Sequence, residues 1–371
     1  MSTNQQRNNK QRQISMQAWA YLTILALALT ILTNARVMAG DYANLPAPVS
    51  NNAVTQVTVN GRDYLVSFSG LAKNKTYKDV HNKTYVFDVS NNSWSQAAPV
   101  PIAKPINGLV GRLASVATAI KHKAYVFGGY TVARDHAEVS VPDVYAYDVI
   151  ANSYQQLAAM PVPVDDSIAL PYQDRYIYLV SGWHNDGNVN LVQVYDTKNN
   201  SWSQATPFPG KPVFGQAGGL VDNTLVVCDG VRIDIHASGS RSFAAEPACY
   251  LGRINPKHVS KIDWHLLEHP TKTARYRMAA TGLADKHQIV FIGGSENPYN
   301  YNGIGYNGQA STPSEQVWIY DVKDSTWRVT KGKIATMDHR GLLSLNGELL
   351  TLGGMAAGQQ VLNKVNRYPL P

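Results

Sequence analysis

The sequence predicts an all-β fold built from six copies of one four-stranded unit. In the first of two recurring landmarks, a strand ends in aspartate and an aromatic residue follows six positions later: Asp88 and Trp94, Asp148 and Tyr154, Asp196 and Trp202, Asp321 and Trp327. In the second, an apolar run closes on two small residues: Ser69-Gly70, Gly128-Gly129, Ser181-Gly182, Asp229-Gly230, Gly293-Gly294 and Gly353-Gly354. These pairs lie 48 to 64 residues apart, the length of four short strands with variable loops.

Within each unit, residue size predicts the order of the strands. Residues 115–120 and 216–220 are small or aliphatic, which suits an innermost strand because strands crowd together near a shared axis. The β-branched run that follows ends at the glycine pair, a third strand ends at the aspartate, and the fourth carries the Trp or Tyr that fills the wider rim. This taper predicts a six-bladed β-propeller.

Two units depart from this spacing. In the fourth, we expect a third strand over 248–253 and a longer connection through Pro256 before Trp264. The sixth ends after a third strand over 364–368. Because residues 41–46 resemble residues 152–157, we expect the N-terminal segment to supply the outer strand of the last blade, which would leave no open sheet edge.

The first 39 residues are typical of an export signal. A basic stretch with Arg7, Lys10 and Arg12 precedes an apolar run over 18–32, and Val37-Met38-Ala39 has small residues at both ends. We expect cleavage after Ala39, a propeller over 40–371, and a periplasmic or secreted protein without a membrane span. The alternative is an uncleaved anchor, although the apolar core is shorter than the ~20 residues of a membrane-spanning helix.

The net charge of the chain argues against a nucleic-acid partner. The whole chain has 33 Lys and Arg against 26 Asp and Glu, and residues 1–39 hold 4 of the cations and no acid, so the remainder carries 29 against 26, or +3. This net charge is too small for a nucleic-acid-binding protein.

The two cysteines, Cys228 and Cys249, fall on neighbouring predicted strands. They either form a disulfide, worth about 3 kcal/mol across this loop, or remain two buried thiols.

Polar residues concentrate in the loops of one predicted face. Loops after the second strand and loops leading into the first open on the same side of a propeller, where function usually gathers. Residues 295–309 form a long loop rich in Tyr, Asn and Gly, a chemistry that suits sugars. No metal-ligand motif, serine nucleophile motif or phosphate-binding glycine loop is present, so we expect neither a metal nor another cofactor.

The glycine pairs, the Tyr-Asp steps at 147–148, 195–196 and 320–321, and the following Trp resemble the kelch-repeat family of β-propellers over residues 41–371. Kelch propellers host enzymes and binding modules alike. Within them, the chain is most similar to the exported N-acetylneuraminate epimerases, or sialic acid mutarotases, in its length, its N-terminal signal and the loop after Gly293-Gly294.

That resemblance implies interconversion of sugar anomers, with a base on the anomeric hydroxyl, an acid on the ring oxygen and arginine for a sugar carboxylate. The family's Asn-Gly-Glu motif has no counterpart in the fourth unit, which reads Val227-Cys228-Asp229-Gly230, and Asp229 is the nearest acid there. Asp229 and His339 are the proton-transfer candidates. The substrate-binding candidates are Arg232, Arg241, Arg277, Arg340, Glu296 and Tyr301.

Two alternatives remain. The same face serves equally well for a non-catalytic module that binds a protein or a glycan, because such a module needs only spread aromatic and polar contacts. A copper radical oxidase of the galactose oxidase type is the less favoured alternative. The expected partner is a small sugar or a glycan, with a protein partner left open.

Overall fold

Six antiparallel sheets arranged as a ring confirm the predicted six-bladed propeller. The computed structural model describes residues 41–106 and 108–371, and the propeller unit runs from Ala43 to Pro371. In this part of the chain the only helical segments are three short 3₁₀ turns: Tyr77–Asp79, Ala284–Lys286 and Ala357–Gln359. None of the described helices is long and apolar enough to cross a membrane.

Five blades have four strands in chain order from the axis to the rim. Blades 1 and 2 consist of Ala53–Val59, Arg62–Leu71, Val80–Asp88 and Ser93–Ala97, and of Val116–Ile120, Lys123–Phe127, Val144–Asp148 and Ser153–Gln156. Blade 3 consists of Ile168–Tyr172, Tyr176–Val180, Val192–Asp196 and Ser201–Gln204. Blades 4 and 5 consist of Ala217–Val221, Thr224–Cys228, Cys249–Asn255 and His258–Leu267, and of Ala279–Leu283, Gln288–Ile292, Ser314–Asp321 and Thr326–Thr336.

Four small hairpins extend from the loops between second and third strands. They pair Tyr130–Val132 with Glu138–Ser140, Trp183–His184 with Gly187–Asn188, Val231–Ile235 with Arg241–Ala245, and Met355–Ala356 with Gln360–Val361. The hairpins are not part of the blade sheets, which pack face to face. Their side chains are therefore available to line the space above the ring.

Blade 6 has three strands: Leu343–Leu345, Glu348–Leu352 and Val365–Pro369. The N-terminal segment joins it through hydrogen bonds, from Leu45 N to Asn363 O (2.8 Å) and from Gly354 N to Val49 O (2.9 Å). Residues 41–46, which we expected to be the outer strand, are not a strand in the structure.

A hydrogen bond that recurs between blades identifies the position of the N-terminal segment. Ala43 N donates to Asn92 Oδ1 (3.0 Å), as Ala98 N does to Asn152 Oδ1 (2.8 Å) in the next blade pair. Since Ala98 follows the outer strand of blade 1, Ala43 occupies the place that follows an outer strand in blade 6. Among residues 41–106 and 108–371, blade 6 therefore has no fourth strand, and the strand predicted over residues 41–46 is wrong.

The fourth unit corrects a second expectation. The connection through Pro256 is short, because the strands Cys249–Asn255 and His258–Leu267 are themselves extended and place Trp264 opposite Gly252. Cys228 and Cys249 face each other in register on the second and third strands and form a disulfide. Of the two cysteine states left open, the structure therefore has the bridge.

The aspartate and the aromatic residue of the recurring landmark have the structural roles expected of them. Asp148 Oδ1 accepts the backbone N–H groups of Ile150 (3.0 Å) and Ala151 (2.9 Å), which closes the turn. Trp202 packs edge-on against Phe127 of the preceding blade (6.0 Å between ring centroids) and donates from Nε1 to Ala158 O (2.8 Å). These contacts bind one blade to the next.

Small residues line the axis because the inner strands nearly touch. A Cβ atom placed on Gly282 would lie 2.0 Å from Leu220 O of the neighbouring blade, and one on Gly219 would lie 2.7 Å from Ile289 Cγ2. Backbone atoms cannot give way here without moving a whole blade.

We expect Gly282→Ala to lower the free energy of unfolding by about 1–3 kcal/mol through this overlap. Gly187→Ala is the control, since its added carbon would lie 3.8 Å from the nearest atom. Urea unfolding of both variants measures the difference. Equal midpoints for the two would contradict the close approach of the inner strands.

Candidate functional site

Six residues with left-handed backbone close the upper end of the central channel. Each directly precedes or begins the segment that leads into a first strand, and their φ values lie between 50° and 68°: Asn51, Ala114, Asp166, Gly215, Arg277 and Asp338. Hydrogen bonds link neighbouring members, from Asp166 N to Ala114 O (3.0 Å), from Gly215 N to Asp166 O (2.7 Å) and from Arg277 N to Gly215 O (2.9 Å). We call this set the axial ring.

A buried ion cluster fills the axial ring. The Arg277 guanidinium bonds Asp166 Oδ2 through Nη2 (2.5 Å) and Asp338 Oδ1 through Nη1 (3.1 Å), while Arg340 Nη2 lies 2.6 Å from Asp166 Oδ1. No side chain of the four is more than 3 % exposed. The faces of Tyr276 and Tyr299 lie 4.5 and 5.2 Å from the Arg277 guanidinium carbon.

The cluster contains two cations and two carboxylates, so its charges balance. Burial alone would raise the pKa of Asp166, but Arg277 and Arg340 outweigh it and hold that pKa below 3.8. Burial also opposes the charge on Arg277, yet Asp166 and the other groups around it raise its pKa well above the ordinary value. Both arginines are therefore committed to internal partners.

A pocket of about 230 Å³, the mouth pocket, lies above the axial ring. Its aromatic wall comes from four blades and the loops between them: Tyr130, Trp183, Phe214, Phe243, Tyr301 and Tyr306. Its polar groups are Glu138, Asp165, Asp166, Arg277 and Asn300. Hairpins after second strands and loops leading into first strands both contribute, as the sequence predicted for this face.

Glu138 and Asp165 are the carboxyl groups of the mouth pocket to which no arginine of the described residues is bonded. Asp165 is buried and accepts a hydrogen bond from Ser140 Oγ (2.6 Å). Glu138 lies two residues before Ser140 on the same short strand, so the two side chains share a face. The strand Glu138–Ser140 therefore brings both carboxyl groups to one side of the pocket.

The pocket perturbs both groups. Burial raises the pKa of Asp165 well above its ordinary value, against the opposing bond from Ser140. The Glu138 side chain remains exposed to solvent at the rim, but the surrounding walls withhold part of its hydration. That desolvation, partly offset by Arg277, raises the pKa of Glu138 to about 7. Two carboxyl groups with raised pKa values in one pocket are typical of a reactive site.

The predicted binding residues divide between several places. Arg277 and Tyr301 line the mouth pocket. Arg340 and His339 line a separate cavity of about 400 Å³ in the channel below, among the inner strands. Asp166 bonds both Arg277 and Arg340, and so lies between the two cavities.

The other three binding candidates lie outside the mouth pocket lining. Arg232 pairs with Asp234 (3.0 Å) and Glu246 (2.9 Å) on the blade 4 hairpin. Arg241 donates from Nη1 to Asp186 O (2.7 Å). Glu296 pairs with Arg275 at 3.2 Å.

Neither of the two proton-transfer candidates is among the residues that line the mouth pocket. Asp229 is buried, accepts Arg275 N (2.7 Å) and bonds His269 Nε2 (2.7 Å); burial raises its pKa to about 6 although the His269 bond opposes this. Burial, helped by Arg340, lowers the pKa of His339 to about 3, so its ring is neutral, and Nε2 bonds Thr336 Oγ1.

Among the described residues, Asp229, Cys249 and His269 form the one group of three metal-ligand side chains. The sulfur of Cys249 is already in the disulfide.

Glu138 is the group that sequence reasoning missed. It follows the glycine pair of blade 2 and so belongs to a loop of the functional face, but nothing in its neighbours along the chain distinguishes it from other loop carboxyls. What sets it apart is the absence of a bonded cation, and that depends on which acids the arginines of other blades have taken.

A comparison with protein-family models decides the family. The domain described as KLHDC2/KLHL20/DRC7 Kelch-repeats matches residues 46–240, just over half of the chain. The chain belongs to the kelch-repeat family. This confirms the family inferred from the glycine pairs and the Tyr-Asp steps.

Individual kelch proteins match to different extents. An F-box/kelch-repeat protein of Arabidopsis thaliana is 33% identical over 159 residues, 41% of this chain and 44% of that protein. The chain likewise spans 37% of Kelch-like protein 15 of Homo sapiens, less than two thirds of either relative. The N-acetylneuraminate epimerase of Pasteurella multocida (strain Pm70) is 24% identical over 392 residues, 93% of this chain and 95% of that protein.

The solved structure of YjhT has a TM-score of 0.64 at 17% identity, and covers 87% of this chain and 98% of its own. At this identity the likeness concerns the fold. The resemblance to N-acetylneuraminate epimerases noted in the sequence extends over 93% of the chain through the relative from Pasteurella multocida.

We expect Asp166→Asn to lower the free energy of unfolding at pH 7 by about 3–5 kcal/mol, because it leaves two buried arginines short of a charge. The folded-state pKa of Asp166 is depressed, so its stabilisation is present above its unfolded pKa and is lost as pH falls through the folded value. Unfolding measured from pH 7 to pH 3 should therefore show the wild type approaching the variant in acid.

Asp234→Asn is the matched control, since Asp234 pairs with Arg232 on an exposed hairpin and its side chain is 41% exposed. We expect a change below about 1 kcal/mol. A loss for Asp166→Asn no larger than this would mean that the cluster does not hold the ring together.

Proposed function

We propose that this kelch propeller binds a free sugar in the mouth pocket and catalyses the interconversion of its anomers. The observation that carries the proposal is the presence of two carboxyl groups without a bonded cation, Glu138 and Asp165, against an aromatic wall. Anomer exchange needs one base and one acid at a single sugar ring. Aromatic faces with polar edges are suited to the apolar faces and hydroxyls of sugars.

The environments of the two groups assign their roles. Asp165 is buried, and burial raises its pKa well above the ordinary value, so we assign it as the acid. Glu138 is partly ionised at neutral pH and serves as the base. Glu138 takes the proton of the anomeric hydroxyl, the bond between the anomeric carbon and the ring oxygen breaks, and the ring oxygen takes the proton of Asp165. Rotation of the freed carbonyl and reversal of each transfer yield the other anomer.

The similarity to the N-acetylneuraminate epimerase of Pasteurella multocida supports this reaction class. Residues 1–39 support export to the periplasm or beyond the cell, a compartment in which the Cys228–Cys249 disulfide persists. A free sugar released outside the cytoplasm is a reasonable substrate for such a protein.

We expect Glu138→Gln and Asp165→Asn each to slow anomer exchange at least about 100-fold, the usual weight of a general acid or base. The measurement is NMR exchange between α and β anomers of several free sugars, with circular dichroism to verify folding. Glu268→Gln, an exposed glutamate outside the pocket lining, should leave the rate unchanged. If the wild type accelerates no sugar, the catalytic proposal fails and a binding module remains.

A further inference from the structure

We infer that the natural ligand of the mouth pocket carries a positive charge, and that it is an amino sugar with a free ammonium group. This deepens the proposed function, because it takes from that proposal the identification of the pocket as a sugar site. The inference rests on three features of the pocket: the committed arginine, the two remaining carboxyl groups and the aromatic wall.

The first feature is the lack of an available cation. Among the described residues that line the mouth pocket, Arg277 is the only Lys, Arg or His, and it bonds Asp166 and Asp338 from a fully buried position. A sugar carboxylate needs a free guanidinium or ammonium to offset the loss of its hydration. Moving Arg277 toward a ligand would break its bonds to two buried carboxylates, Asp166 and Asp338, so the pocket disfavours an acidic sugar.

The second feature is the negative charge of the carboxyl groups that lie outside the ion cluster. Once the balanced ion cluster is set aside, the ionisable carboxyl groups left in the lining are Glu138 and Asp165. Their charge, whenever present, is negative. An ammonium group on the ligand offsets it, while a carboxylate adds to it.

The third feature is the arrangement of the aromatic rings. Trp183 lies edge-on to Phe214 (5.5 Å between centroids), Phe243 stacks on Tyr306 (4.3 Å), and Phe214 is edge-on to Tyr306 (6.4 Å). Rings at several angles around a small volume offer a ligand both ring faces, which are negatively polarised, and ring edges. Such walls attract ammonium groups within about 6 Å of a ring centre.

A 2-amino sugar fits these features together with the proposed reaction. Its ammonium group lies on the carbon next to the anomeric carbon, so a carboxylate that receives the ammonium also reaches the anomeric hydroxyl. The positive charge favours the ionised form of Glu138, which is the form that accepts the proton. The ammonium group of the ligand therefore increases the fraction of Glu138 that is able to act as the base.

Glu138 is the group expected to titrate in this pocket near neutral pH, since its pKa is raised to about 7. The charged or titratable groups that face it from other elements are Arg277, Asp165, Asp166, Tyr130, Tyr301 and Tyr306. Arg277 and Asp166 stay charged and the tyrosines stay neutral, because burial raises the tyrosine pKa values. On its own hairpin the neighbours are Arg134, Asp135 and His136.

The test is calorimetric binding of four sugars to the full protein: glucosamine, N-acetylglucosamine, glucose and N-acetylneuraminate. We expect glucosamine to bind at least tenfold more tightly than the other three, and Glu138→Gln to remove most of that preference. Glu138→Asp, which retains the charge, should keep part of it, and Glu268→Gln should keep all of it. Phe243→Leu tests the aromatic wall independently and should weaken glucosamine binding.

Choline serves as a probe with a permanent charge and no sugar ring. Because Glu138 gains its charge as pH rises through about 7, we expect choline to bind more tightly at pH 8 than at pH 6 in the wild type. That pH dependence should disappear in Glu138→Gln. If Glu138 only stabilised the hairpin, choline binding to the wild type would be the same at pH 6 and pH 8.

The outcomes separate this inference from the proposed reaction. If N-acetylglucosamine, glucose or N-acetylneuraminate binds as tightly as glucosamine, or if neither glucosamine nor choline binds, the positive ligand is ruled out. Anomer exchange of a neutral sugar would in that case still support the proposed function. If glucosamine binds with the expected preference but no sugar is accelerated, the inference holds for a binding site and the catalytic proposal fails.

Discussion

The propeller depends on the bonds that Arg277 makes to Asp166 and Asp338 at the top of its channel. These residues belong to blades far apart along the chain, and the ion cluster ties three of the blade junctions together at the axis. Buried charges are tolerated only when paired and hydrogen-bonded, and here each oxygen of Asp166 faces a different guanidinium. The same bonds hold the left-handed backbone of the axial ring in place.

That constraint divides the axis into two cavities with different chemistry. Below the cluster, glycine and small residues line the channel because the inner strands crowd against each other. Above it, loops and hairpins no longer limited by packing carry large aromatic residues and unpaired acids. The cluster forms the floor of the mouth pocket and neutralises the arginine that would otherwise attract an anion there. One set of contacts therefore determines both the packing at the axis and the charge at the floor of the pocket.

The fold could be predicted because its determinants are local and repeated. An aspartate that closes a turn and a tryptophan six residues later act within one hairpin, as Asp196 and Trp202 do, so their spacing survives in every unit that keeps the turn. Position Ala43 shows the limit of this reasoning. Its place after the sixth blade is defined by a bond to Asn92, which a short sequence match to residues 152–157 could not supply.

The site was harder to predict because its chemistry depends on long-range pairing. Arg277 and Asp166 are 111 residues apart, and the sequence does not say which arginine has already been neutralised by which acid. The prediction that two sets of loops share one face was therefore correct, while the choice among the charged residues of that face was not determined. Glu138 differs from the other charged groups because no cation among the described residues is bonded to it. This difference arises only when folding brings arginines and acids of distant blades together.

A crystal structure of the protein soaked with glucosamine would show directly whether the mouth pocket binds an amino sugar. We expect a sugar above the axial ring, with its ammonium group beside the Glu138 carboxylate, a sugar face against the aromatic wall, and the bonds of Arg277 unchanged. A sugar bound instead beside Arg232 and Arg241, or at Asp229 and His269, would contradict this expectation.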